Sequence, residues 1–335
     1  MTRAHGLHTH LLTRNDYQAL IKMKDAKAVS DYLMKGDYAQ LLEKTSAAYP
    51  SALHLANVFR SLLVSRCYHL VGVAPENCGI FIEAYLERFL VEDMKRILRA
   101  KHAEKVVDKG SLIPVPKKYD HVNLQAMADA ATLQDALGFL ARTSFGSVVD
   151  VMPIYEKYRL ISIIEAHLEK TYYDSVLLPT LKGLPGHATI EDMIGTESDL
   201  VNIGMIADLR ARRVAADAVR ALTHAPLHLT SGELAMVSAG TPESIPQVVA
   251  KTRYSALAQP LQEALEAGKD ESIDHLVRLE IYRGTRSRSV TSADSFAYVL
   301  CYLREAEAET NNLISMVTGK ELGLPEPRIQ AALCS

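Results

Sequence analysis

The sequence predicts an all-α protein built from three similar helical units. Three observations carry that expectation. Apolar residues recur at three- and four-residue steps over long stretches, no stretch alternates cleanly with period two, and a small set of landmarks returns about every 110 residues.

The elements follow in chain order. HGLHTH carries His5, His8 and His10 but no Cys or acid at zinc-ligand spacing, so it is expected to be a solvent-exposed segment. VSRCYHLVGVAP is the nearest candidate for a strand and reads equally well as a helix ending before Pro75. Over 82–98, Ile82, Tyr85, Leu86, Phe89, Leu90, Met94, Ile97 and Leu98 form one helical stripe. Ile154, Tyr155, Tyr158, Ile161, Leu168 and Tyr172 form another over 151–178. Val299, Leu300, Leu303, Leu313, Ile314 and Val317 do so over 296–317. Proline and glycine punctuate 111–123, 178–189, 224–233, 238–246 and 323–328, which are expected joints. The expectation is about fifteen helices.

Composition narrows the function classes. The chain has 335 residues, 48% of them hydrophobic, so a sizeable core can be buried. Its formal net charge of −3 lacks the basic surplus that phosphate-backbone binding favours, and no nucleic-acid partner is expected. Cys67, Cys78, Cys301 and Cys334 form no CxxC pair and no disulfide framework, which suits a reducing compartment. The N-terminus has neither the apolar core nor the cleavage site of a signal peptide. No uncharged apolar run reaches the roughly 18 residues of a spanning helix, so no transmembrane segment is expected.

The repeat appears in short phrases. LLEKTSAAYPSAL, FLARTSFGSV and VVAKTRYSAL each place a basic residue before a Thr and an aromatic shortly after it. Thr45, Thr143 and Thr252 lie 98 and 109 residues apart (143−45 and 252−143). A second helix then ends in Lys101, Arg210 or Lys320, spaced by 109 and 110 (210−101 and 320−210). The Thr hydroxyl is expected to bond a carbonyl one turn earlier, with the aromatic packed beneath it. The basic residue is expected to complement the negative end of its own helix. These landmarks divide the chain into 1–115, 116–228 and 229–335, with helices free to exchange between neighbours. A unit of that size is a domain in its own right, and three around an axis would make a shallow funnel.

The candidate polar sites are few. Thr196 and Asp199 resemble a capping box at a helix start. Asp199 and Asn202 share a helix face, and Glu309 and Asn312 repeat the pair; the first unit has Leu90 and Asp93 there. Two carboxylates, each beside an amide in a separate unit, make no convergent catalytic set. Buried hydrogen bonding between helices is the expected role, with partner contact as the alternative. YRGTRSRS gathers Arg283, Arg286 and Arg288 in what is expected to be a loop joining two helices, suited to an acidic partner or lipid head groups. GxSxG, HExxH, GxGxxG and a P-loop are all absent, so neither an enzyme nor a cofactor or metal site is expected.

The landmarks resemble a known family. FAYVLCYLREAEAETNNLISMVTGKELGLPEPRIQAAL is similar to the C-terminal signature of the C subunits of archaeal and bacterial A/V-type ATP synthases, which are related to the d subunit of the vacuolar ATPase. The family's features fall here on Tyr302, Glu305, Glu307, Glu309, Asn312, Leu313, Gly319 and Lys320. ESDLVNIGMIADLRARR resembles the family's earlier acid–amide helix through Asp199, Asn202 and Ile203, and YLERFLVEDMKRILRAK the first, with Asp93 in the Asn position. VVAKTRYSAL resembles its Thr-x-Tyr element. The second helix departs from the pattern by ending in Arg-Ala-Arg-Arg rather than Gly-Lys. The resemblance implies three helical domains around a pseudo-threefold axis, shaped as a funnel. It also implies a non-catalytic rotor adaptor at the cytoplasmic face of the membrane. Its partners would be the central shaft subunits and the membrane proteolipid ring, with no small-molecule substrate or cofactor. A free-standing helical scaffold and an enzyme with a hidden helical site are the rival readings.

Overall fold

The computed structural model describes residues 2–44, 50–268, 270–292 and 295–334. Among them the fold is helical throughout, with nineteen α-helices where about fifteen are expected. They are α1 (Thr2–His8), α2 (Arg14–Ile21), α3 (Ala26–Leu33), α4 (Ala39–Lys44), α5 (Ala52–Val73) and α6 (Glu76–Leu86). Next come α7 (Arg88–His102), α8 (Leu124–Asp129), α9 (Leu133–Gly138), α10 (Met152–Tyr158), α11 (Ile161–Thr171) and α12 (His187–Ala211). The last are α13 (Ala216–Leu222), α14 (Ser231–Ala239), α15 (Ile245–Val249), α16 (Ala258–Ala267), α17 (Asp270–Thr291), α18 (Ala297–Glu321) and α19 (Glu326–Ala331).

The chain divides into two compact units. The first comprises 1–86, 108–116 and 285–335; the second comprises 87–107 and 117–284. In the first, α18 packs along α5 and also touches α1, α3 and α19. Leu20, Val29, Leu33, Leu55, Phe59, Leu313, Met316 and Ile329 close its core. Full burial of each such side chain is worth about 2 kcal/mol, so packing rather than helix propensity holds the short α2 and α3 in place. Cys67, Cys78, Cys301 and Cys334 form no disulfide and are buried in this unit. In the second, α7 packs on α8, α9 and α11, while α12 packs on α13 and α14. Lys95 with Glu169 and Arg99 with Glu165 tie α7 to α11.

Three long helices, α7, α12 and α18, repeat one local design. Each ends in a left-handed residue: Glu104 (φ 54°), Arg213 (φ 64°) and Gly323 (φ 66°). The next N–H in each case reaches back to a carbonyl five residues earlier, from Lys105 to Ala100 (2.8 Å), Val214 to Leu209 (3.0 Å) and Leu324 to Gly319 (2.8 Å). This is the Schellman closure, which satisfies otherwise orphaned carbonyls. The basic residue one turn back does more than complement its own helix. Lys101 donates to the Ala130 carbonyl after α8, Arg210 to the Gly240 carbonyl after α14 (2.8 Å), and Lys320 to Ile21 at the end of α2 (2.9 Å). Each cation thus joins the C-terminal ends of two helices, where the dipoles of both favour it.

The Thr element behaves as expected in the two copies described. Thr143 Oγ1 donates to the Leu140 carbonyl and Thr252 Oγ1 to that of Val249, each at 2.8 Å. Each hydroxyl also accepts the N–H of the aromatic two residues on, Phe145 or Tyr254, at 3.1 Å, and a 3₁₀ turn follows. Thr45 lies outside the described residues.

Several expectations need correction. The stripe over 82–98 crosses a joint at Glu87, because apolar periodicity continues through a brief interruption. The stripe over 151–178 is split at Arg159, whose left-handed backbone (φ 55°) ends α10. A π-helical turn, Tyr172–Leu177, follows α11. Thr196 is no cap: α12 starts at His187, since nothing in HATIEDMIG stops a helix. Arg283, Arg286 and Arg288 stand within α17 rather than on a loop. A lone Gly284 costs about 1 kcal/mol in a helix interior, too little to break a 22-residue helix. Two of the N-terminal histidines belong to a docked helix, since His5 stacks on Tyr298 (4.1 Å) and His8 bonds Glu305, while His10, past its end, is exposed as expected. For VSRCYHLVGVAP the helical of its two readings holds: it is the end of α5, which stops before Pro75.

Candidate functional site

The acid–amide pairs form the polar centres of the two units. Asp199, on α12, is fully buried. Its Oδ1 accepts the Leu227 N–H (3.1 Å); its Oδ2 accepts the N–H groups of His228 (2.9 Å) and Leu229 (2.7 Å) and the Tyr254 hydroxyl (3.0 Å). Leu229 directly precedes the N-cap Thr230, whose capping box with Glu233 opens α14. One carboxylate therefore fixes the entry turn of a helix, and its charge sits beside that helix's positive end. Burial and the Asp199 charge raise the Tyr254 hydroxyl's pKa and keep it a donor. Asn202, one turn on, takes the His224 N–H on Oδ1 (3.2 Å) and gives its Nδ2–H to the His224 carbonyl (3.1 Å).

The first unit repeats the device on α18. Glu309 accepts the Leu12 N–H, and Leu12 directly precedes the capping-box residue Thr13 that opens α2. It also accepts the Tyr38 hydroxyl (2.9 Å) and faces Arg66 (3.4 Å). Burial pushes the Glu309 carboxyl up, while the Leu12 N–H, Tyr38 and Arg66 oppose that rise. Asn312 pairs both ways with the Cys334 backbone, receiving its N–H (2.7 Å) and donating to its carbonyl (2.9 Å). Both amides thus clamp the residue 22 positions further along.

The third copy is different, and the structure explains how it manages. Leu90 occupies the acid's place on α7 and is fully buried. The entry turn of α8 is organised locally instead: Asp120 accepts the N–H groups of Asn123 (2.8 Å) and Leu124 (3.2 Å). Asp93, in the Asn position, is buried and accepts from Arg96 on its own helix. Arg283 pairs with Glu280 on α17. Arg283, Arg286 and Arg288 join neither acid–amide centre, and Arg283 and Arg286 are exposed.

The second unit also holds a buried polar chain that no sequence motif marks. Arg88 donates to Glu197 (2.6 Å), Glu197 accepts the Tyr173 hydroxyl (2.9 Å), and the Tyr173 ring stacks on His224 (4.4 Å). Nδ1 of His224 faces Ser198 Oγ (3.0 Å) and Asn202 Nδ2 (3.2 Å), both donors, which places the ring proton on Nε2. Burial drops the His224 pKa to about 3. No spacing rule selects His224. Its signal was the equal offset from Asn202 and Asn312 to their clamped partners, visible only once those partners are known.

These groups anchor backbone. Both oxygens of Asp199 are engaged, and Glu309 meets a backbone N–H, a phenol and a guanidinium. Among the described residues, no cluster of His, Cys, Asp and Glu has the arrangement of a metal site. No helix among them is long and apolar enough to cross a membrane.

Fold and site together define a protein, all-helical among the described residues, in which two long helices carry buried acids that clamp the start of a neighbouring helix and amides that clamp the backbone just past the end of another. The chain belongs to the ATP synthase (C/AC39) subunit family, whose model matches residues 1–332. It is 23% identical to the C subunit of the A-type ATP synthase of Pyrococcus furiosus, over 90% of this chain and 80% of that protein. It is 22% identical to the corresponding C subunit of Methanococcoides burtonii, over 99% of this chain and 92% of that protein. Against the C subunit of Haloferax volcanii the identity is 21%, over 99% and 96%.

Proposed function

We propose that this chain is the non-catalytic rotor adaptor of an A/V-type ATP synthase. In this reading it lies peripherally on the cytoplasmic side of the membrane. It joins the central shaft subunits to the proteolipid ring and passes torque between them, coupling ion transport to ATP synthesis or hydrolysis. The full-length family match carries the proposal. It favours an ATP synthase component over a free-standing scaffold, because every third of the chain takes part.

The internal design supports the same reading. An adaptor needs stiffness rather than chemistry, and close-packed helices transmit strain. Asp199, Glu309, the two amides and the basic helix ends each tie one long helix to the beginning or end of another. Three similar domains, 1–115, 116–228 and 229–335, arranged as a funnel around a pseudo-threefold axis are part of the proposal. Exchange of segments between them suits the anchors of α12 at 224–254 and of α18 at 12–38. Asp93, Asp199, Asn202, Glu309 and Asn312 serve inside this framework, and Arg283, Arg286 and Arg288 meet an acidic partner or lipid head groups at a rim.

The test is affinity capture of the tagged chain from native membranes. Recovery of proteolipid and shaft subunits is expected, and their absence would sink the adaptor reading. Reversal of the three α17 arginines to Glu is expected to weaken capture of at least one of these partners. Unchanged capture of both would remove the arginines from the interface.

A further inference from the structure

The helix end at Arg213 has more in it than the fold requires. Its left-handed position is filled by Gly323 in the equivalent turn of α18, and glycine adopts this conformation without strain. An arginine there carries backbone strain. Glu104 carries the same cost in the third equivalent turn, so strain alone does not single out Arg213. Its surroundings do. Arg210, Arg212 and Arg213 line an open cleft of about 600 Å³ within the second unit, with Glu243, Ala264 and Leu265 on its other walls.

The three arginines are not equivalent. Arg210 is held by the carbonyls of Gly240 (2.8 Å) and Val214 (2.6 Å) and forms fixed structure. Arg212 lies over Asp208, with its side chain one-third exposed. Arg213 is exposed and lines the cleft. A guanidinium fork matches a carboxylate in two parallel hydrogen bonds. The half-buried Leu265, with the small exposed part of Ala264, gives the same cleft an apolar lining.

We infer that this cleft is a docking site for an acidic peptide segment of a protein partner, with a carboxylate on Arg213 and Arg212 and an adjoining apolar side chain against Ala264 and Leu265. Glu243, which also lines the cleft, disfavours a strongly polyanionic ligand and so sets the preference for a segment of modest charge. Such a site would serve an ATP synthase component and a free-standing scaffold alike.

The experiment uses the full chain and a short fluorescein-labelled peptide alternating Glu with Leu, followed by fluorescence anisotropy. Saturable binding that weakens with added salt is expected. Losing a charge-assisted contact at Arg213→Gly is expected to weaken it about tenfold, and Arg212→Glu with Arg213→Glu to abolish it. Glu243→Gln is expected to tighten it. Arg213→Gly keeps the turn and relieves its strain, so lost binding with unchanged circular dichroism and no fall in melting temperature separates docking from folding. Absence of saturable binding, or an affinity indifferent to both arginine variants, overturns the inference. So does competition by inorganic phosphate at the peptide's own concentration, which would mark a general anion site. Failure here leaves membrane capture intact, and failure of membrane capture leaves this binding intact.

Discussion

Acid should loosen the second unit through His224. With the native pKa at about 3 against 6.5 for a free imidazole, the unfolded chain binds a proton over that window and the native chain does not. Stability from the neutral ring is therefore fully present above pH 6.5 and is lost as pH falls toward 3. The slope is about 1.4 kcal/mol per pH unit, so lowering the pH from 7 to 5 removes about 2 kcal/mol. The control is His224→Phe, which keeps a ring against Tyr173 and cannot titrate. It forfeits the acceptor for Ser198, so its stability at pH 7 should already be lower by about 1–3 kcal/mol. The assay is hydrogen exchange read on peptides covering 198–229, corrected for intrinsic rates. Local measurement matters because His8, raised by its bond to Glu305, acts with the opposite sign in the first unit. His167, lowered by burial, acts with the same sign in the second and is common to both proteins. The native chain should lose about 2 kcal/mol more protection between pH 7 and 5 than the variant. Equal losses would show that His224 is not a buried neutral ring, and the linkage argument would fail.

The other predictions concern the repeated joints. Glu104→Gly and Arg213→Gly should each raise stability by about 0.5–1 kcal/mol in urea unfolding, because relieved left-handed strain outweighs glycine's added unfolded-state entropy. Glu309→Gln should cost about 2–3 kcal/mol by leaving Arg66 short of a charge, with faster exchange at 12–38 and little change at 198–229. Gly319→Ala puts a methyl 2.8 Å from Ile329 Cγ1. It should cost about 1–3 kcal/mol by thermal melting, and Ile329→Ala, which removes both Cγ1 and Cδ1, should cost less in that background than in the native chain.

Much of the joint chemistry was legible because it is local or periodic. The basic helix ends and the acid–amide positions recur at 109 or 110 residues, the Thr element at 98 and 109, and the long helices follow from apolar stripes. The left-handed turns at Glu104, Arg213 and Gly323 share the same period but were not legible, since Glu and Arg carry no signal of left-handed backbone. Local signals also misled. Thr196 with Asp199 has the spacing of a cap inside an uninterrupted helix, and the Gly, Ser and Arg of 282–289 resemble a loop because propensity cannot register the helix's length.

By itself, the sequence determined the helical class, the period and which polar side chains recur. Only the tertiary structure decided their partners. Asp199 finds its N–H donors about thirty residues ahead, whereas Glu309 finds Leu12 297 residues back. The two acids look alike in sequence because each needs the same thing, a helix start with unpaired N–H groups. Which helix supplies it depends on how the backbone returns to the core, and burial then makes that match obligatory: an unmatched carboxylate in the interior would cost more than any single packing contact returns.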